Sequence, residues 1–109
     1  MKRNQTKNAT AVCSFILLIS FMLTSHAGDI ETGKAKAMIC VSCHGPEGIS
    51  SHSTWPNLAG KPEAYLITML QLFRDGRRQN PWMSPMASSL SDQEIEDLAA
   101  FFSTLSSLE

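Results

Sequence analysis

Cys40, Cys43 and His44 stand in the run Ile39-Cys40-Val41-Ser42-Cys43-His44-Gly45, and no other residues in the chain are so suited to chemistry. Two thiols three residues apart lie about one helical turn from each other, within reach of the two vinyl groups of one porphyrin. The histidine directly after the second thiol is then held beneath the iron as its proximal ligand. A haem held this way needs a sixth iron ligand, an open site or water. Methionine thioether is neutral and soft, favours ferrous iron and raises the reduction potential. Met83 and Met86, in Pro81-Trp82-Met83-Ser84-Pro85-Met86, are the candidates. Spacing does not choose between them, and methionine is often only a filler of apolar gaps.

The same cysteine pair has a second chemistry, thiol–disulfide exchange. That class places its motif on a helix after a strand in a βαβ unit, and no strand pattern precedes Cys40. A structural disulfide would be a poor staple, because the stabilisation grows with the length of the loop closed.

The first 27 residues do not belong to the domain that carries these groups. Lys2, Arg3 and Lys7 form a positive start, an apolar stretch follows from about Ala11 to Leu23, and Ser25-His26-Ala27 suits signal peptidase. The stretch is shorter than the 18 or so apolar residues of a membrane span, so cleavage is expected, with an uncleaved anchor as the alternative. Cys13, at the start of the apolar run, is expected to leave with the signal. Export would place residues 28–109 in the periplasm. In that segment six Lys and Arg side chains face ten carboxylates, a formal charge of −4, which argues against nucleic acid as a partner. So short a domain has a thin core and usually needs a staple or a cofactor; a covalent porphyrin supplies an apolar body to fold around.

Three helices are expected to position the motif. The first runs from Ile30 to Cys40, with Asp29 as N-cap and Ala35, Met38 and Ile39 inward, and Gly45-Pro46 ends its continuation. The second starts at Pro62 and runs to Gly76, with Leu66, Met69, Leu70 and Phe73 as a buried stripe. The third opens on the capping box Ser91-Asp92-Gln93-Glu94 and buries Ile95, Leu98, Ala99, Phe102 and Leu105, leaving Glu94, Glu96 and Asp97 to water. Irregular stretches at 45–61 and 76–90 are long for so small a domain and are expected to wrap the haem. His52 reads as a solvated loop histidine. Tyr65 and Trp82 have polar tips that suit a haem carboxylate or simple packing. Of Arg74, Arg77 and Arg78, one is expected near a haem carboxylate.

This pattern resembles the class I c-type cytochromes, and in detail one haem domain of the bacterial tandem dihaem cytochromes c. The shared phrases are Ala37-Met38-Ile39-Cys40-Val41-Ser42-Cys43-His44-Gly45-Pro46-Glu47-Gly48, Trp55-Pro56-Asn57-Leu58-Ala59-Gly60, Tyr65-Leu66 and Phe73-Arg74-Asp75-Gly76. The last is Met86-Ala87 through Leu90-Ser91-Asp92 to Leu98-Ala99-Ala100-Phe101-Phe102. The resemblance implies an all-α fold of three main helices and two loops around one covalent haem c. It implies that the axial methionine stands seven residues before Leu90, at Met83, with Met86 the alternative. It also implies that the Pro56 carbonyl accepts the ring N–H of His44, steadying the iron ligand. The function it implies is a periplasmic mono-haem carrier of single electrons, with no catalytic residues. Its donor would be a quinol-oxidising complex or dehydrogenase, its acceptor a terminal oxidase or reductase. It would meet the membrane only through those partners or an uncleaved N-terminal segment. The alternatives are a haem subunit of a larger oxidoreductase, a haem protein with an open sixth site, and the thiol–disulfide enzyme.

Overall fold

The computed structural model describes residues 27–107. The expected signal sequence lies almost wholly outside them. Among the described residues the order is α1 (Ile30–Lys36), a 3₁₀ turn (Ala37–Ile39), α2 (Val41–His44), α3 (Glu63–Arg74), α4 (Met83–Ala87) and α5 (Asp92–Thr104), with no strand. No helix among them is long and apolar enough to cross a membrane.

The first helix begins where its cap predicts. The Asp29 carboxylate accepts the Thr32 N–H at 2.6 Å, and that bond holds the Asp29 carboxyl below its ordinary range. It does not run unbroken to Cys40. The chain tightens into the 3₁₀ turn, where the Cys40 N–H reaches the Ala37 carbonyl at 2.8 Å. A separate short turn, α2, then carries Cys43 and His44. Gly45, at φ +88°, ends it in a conformation that residues with a Cβ rarely adopt.

The face that α1 buries also differs from the expectation. Ala35 is exposed, Met38 is 70% exposed and Ile39 49%, whereas Gly33 and Ala37 are buried. Small residues win because α1 crosses α5 at near-backbone contact. A Cβ on Gly33 would overlap the Asp97 carbonyl oxygen and press on Phe101 Cβ at 3.0 Å. Periodicity of large apolar residues is silent about such a crossing. Gly33→Val is therefore expected to destabilise the domain by about 3 kcal/mol through overpacking, read as a lowered urea midpoint.

Asp97 reverses another expectation. It is 4% exposed and accepts the Asp29 N–H at 2.7 Å and the Gln93 side-chain amide at 2.9 Å. Its carboxylate thereby fastens the start of α1 to α5. Buried polar groups persist where such partners satisfy them. The capping box of α5 forms as expected: Glu94 N–H donates to Ser91 Oγ at 3.1 Å, and Ser91 N–H to Glu94 at 2.9 Å. Glu94 also pairs with Lys36, which is the first cause of its lowered pKa.

Ile95, Leu98, Ala99, Phe101 and Phe102 of α5 form the core with Leu66, Ala37, Ala87 and Leu90. Met69, Leu70 and Phe73 of α3 are only partly buried, which leaves an apolar flank for something else to cover. At the other end of α3, Arg74 bonds Asp75 at 2.9 Å, Asp92 at 2.6 Å and the Leu90 carbonyl at 3.3 Å. This clamp ties the close of the late loop to α5. That loop is not wholly irregular, for α4 lies within it.

Candidate haem site

The uncovered flank of α3 faces a cavity of about 730 Å³, within the range of roughly 300–1,000 Å³ for ligand and cofactor sites. Cys40, Cys43 and His44 line one side of it, and Met83 and Met86 also reach its wall. Leu66, Leu70, Leu98 and Phe102 add apolar surface. Much of the exposed apolar side chain in the domain, Ile39, Tyr65, Trp82 and Met86, belongs to the same wall.

His44 is 5% exposed, and its Nδ1 lies 2.7 Å from the Pro56 carbonyl oxygen. A carbonyl oxygen can only accept, so the proton of the neutral ring sits on Nδ1 and Nε2 keeps its lone pair. Pro56 is itself held. The first loop doubles back through Leu58 and Ala59 N–H bonds to the Gly48 carbonyl, at 2.8 and 3.0 Å. Asn57 accepts the Ser50 N–H at 2.8 Å, and Gly60 N–H reaches the Phe102 carbonyl at 3.0 Å. His52 stays exposed beside Trp55, with ring centroids 5.0 Å apart.

On the methionine side, Asn80 does what spacing did not disclose. Its Oδ1 accepts both the Trp82 and Met83 N–H groups at 2.9 Å, and its own N–H donates to Ser84 Oγ at 2.9 Å. This lock fixes the start of α4 and thereby Met83, which is half-buried, while Met86 is 44% exposed. The signal was present in Asn80-Pro81 with Ser84 four residues on, a turn-and-cap pairing. Of the three arginines, Arg74 is engaged in its clamp, Arg77 is exposed, and only Arg78 lines the cavity.

The donor set fits haem c: two thiols, a buried imidazole with a free Nε2 lone pair, and soft thioethers around an apolar hollow. The indole N–H of Trp55, in the same wall, is buried without a partner among the described residues, and a bound group bearing an acceptor would satisfy it. The thiols suit exchange chemistry poorly. Burial first, and the neighbouring Cys43 second, push the Cys40 thiol up, whereas a reactive thiol needs its pKa lowered.

Residues 30–106 match the family model described as cytochrome c. The chain belongs to the cytochrome c family. It is similar to cytochrome c4 of Thiocapsa roseopersicina, 47% identical over 78 residues, which cover 71% of this chain and 40% of that protein. It is also similar to the thiosulfate dehydrogenase electron acceptor of Thiomonas intermedia, 42% identical over 71 residues, 64% of this chain and 33% of that one. The crystal structure of reduced cytochrome c4 from Pseudomonas stutzeri superposes with a TM-score of 0.70 at 39% identity, covering 73% of this chain and 47% of that one. The chain thus spans less than half the length of these relatives. The domain is a class I cytochrome c fold, and its cofactor is covalent haem c.

Proposed function

We propose that this cytochrome c domain is a periplasmic electron carrier with one haem. In it Cys40 and Cys43 would hold the haem through thioethers, and His44 Nε2 and Met83 would ligate its iron. The observation that carries this reading is the His44 ring, buried and oriented by Pro56 in the same cavity wall as both thiols and Met83. Bound there, haem supplies a ferric–ferrous couple that takes and gives one electron. The protein's own residues do the rest. The thioethers prevent loss of the group, the Pro56 carbonyl sets the direction and basicity of the imidazole, and the Asn80–Ser84 lock presents the methionine. Leu66, Leu70, Leu98 and Phe102 exclude water, which favours the less charged ferrous state. With His44 and Met83 both engaged in holding the haem iron, no seat would remain for a substrate, so catalysis is not expected.

Residues 1–27 act as the export signal in this reading, and the acidic domain is released at Gly28. Tyr65 and Trp82, half or more exposed at the cavity wall, leave a side of the haem accessible to docked proteins. Such redox encounters are small, below about 1,200 Å². A quinol-oxidising complex or a dehydrogenase would be the donor and a terminal oxidase or reductase the acceptor. A relative named as the electron acceptor of thiosulfate dehydrogenase supports a role of this kind.

A peptide spanning Cys40–His44 of the exported protein is expected to carry the added mass of one haem and the protein, in both oxidation states, the optical spectrum of six-coordinate low-spin iron. A bare polypeptide mass overturns the reading. Prompt carbon monoxide binding by the native ferrous protein at neutral pH overturns the methionine ligation.

A further inference from the structure

The described residues hold nine carboxylates, yet not one lines the haem cavity. Two cations do, Lys61 and Arg78, and neither has a carboxylate partner among the described residues. They flank α3 at opposite ends, which span about 18 Å for a helix of twelve residues. Both side chains nevertheless turn back along α3. Lys61 reaches forward along the helix, its Nζ 6.0 Å from the centre of the Tyr65 ring. Arg78 folds back, its guanidinium 5.4 Å from the Phe73 ring centre and its Nη1 3.5 Å from Met69 Sδ. The backbone supports the return, since the Arg78 N–H bonds the Leu72 carbonyl at 3.0 Å. Tyr65 and Met69 are four residues apart, neighbours on one helix face, and both line the cavity. Two positive heads are thus gathered over adjacent turns, at the edge of a pocket otherwise without formal charge.

We propose that Lys61 and Arg78 are the paired counter-ions of the two haem carboxylates. The inference rests on the haem reading above. A porphyrin presents its two carboxylates side by side on one edge, which matches two cations brought together and would not match cations left at the two ends of α3. Arg78 brings a planar fork of donors suited to a carboxylate, and Lys61 a compact charge. Gathering like charges without an anion between them is unfavourable, so the arrangement has a physical reason only with the dianion present. The pair would anchor one edge of the ring and, by offsetting negative charge near the iron, hold the reduction potential up. The other titratable groups of the wall are His44, Cys40, Cys43 and Tyr65.

The test uses haem-loaded protein carrying Lys61→Gln, Arg78→Gln or both. The charge-matched control is Arg77→Gln, whose exposed side chain lies outside the wall. Voltammetry against pH is expected to show a lower midpoint potential in each cavity variant and a further fall in the double variant. The pH range over which the potential varies should rise by about one to three units as the carboxylates lose their partners. Arg78→Lys should retain most of the wild-type profile, and Arg77→Gln should match wild type. Cavity variants whose potential and pH profile coincide with those of Arg77→Gln overturn the proposal while leaving the haem reading intact. Wild-type protein without haem would overturn that reading instead. Should a glutamine variant fail to mature, infrared titration of wild-type protein loaded with isotope-labelled haem decides. Haem carboxylates ionised well below their ordinary range sustain the pairing, and ordinary titration overturns it.

Discussion

Replacing both Cys40 and Cys43 by alanine is expected to yield exported polypeptide with no covalent haem and no cooperative unfolding. An apolar hollow of about 730 Å³, kept open and dry, would cost on the order of 18 kcal/mol at ~24 cal/mol per Å³. That exceeds the roughly 5–15 kcal/mol of net stability a whole domain has, so the empty fold must flood or collapse. Each single variant should retain one thioether and mature poorly, with acid–acetone extraction still failing to remove the group. Loss should be unequal in one respect: Cys40 is partly buried against the core and Cys43 is exposed, so Cys40→Ala also leaves a void. Mass spectrometry, circular dichroism and a urea titration read all three properties. Equal haem content in wild type and double variant would refute covalent attachment at these residues.

Met83→Ala is expected to give iron with an open or foreign sixth ligand, rapid carbon monoxide binding and a midpoint potential lower by about 0.1 V or more, within the ~0.8 V that axial ligands span. Met86→Ala should retain the low-spin spectrum and shift the potential far less, because a more exposed thioether near the wall contributes mainly packing. Asn80→Ala forms an intermediate case. It removes the acceptor of two backbone N–H groups at the start of α4, so the thioether stays but its placement loosens, and the low-spin form should give way on mild heating. The reverse ordering of Met83→Ala and Met86→Ala would move the axial role to Met86.

Cys40, Cys43 and His44 stand out in the sequence because haem attachment calls for three fixed residues within five positions, a demand local in sequence. The Asp29 cap and the Ser91–Glu94 capping box were legible for the same reason, since their bonds join residues three apart, and so was the Pro62 entry to α3, whose carbonyl accepts the Leu66 N–H four residues on. Ile95, Leu98, Ala99 and Phe102 followed from helical period. Where helices meet, that logic failed. Hydrophobic period points inward at Ala35, Met38 and Ile39, whereas α1 and the 3₁₀ turn bury Gly33 and Ala37, because period rewards large residues and a close crossing requires small ones. Charge alone directs Asp97 to water, while its partner, the Asp29 N–H, lies 68 residues away.

The amino-acid sequence by itself determined which cofactor the domain takes, the residues that can bond it and the helical segments around it, since each depends on residue types at short separations. The family resemblance already implied that Pro56 meets His44, and the structure bears this out. Tertiary structure alone decided that Arg74 closes the late loop and that Lys61 and Arg78 both turn to the wall of the cavity. Those pairings depend on the angle at which α1, α3 and α5 pack, and packing angles arise from contacts between residues remote in the chain.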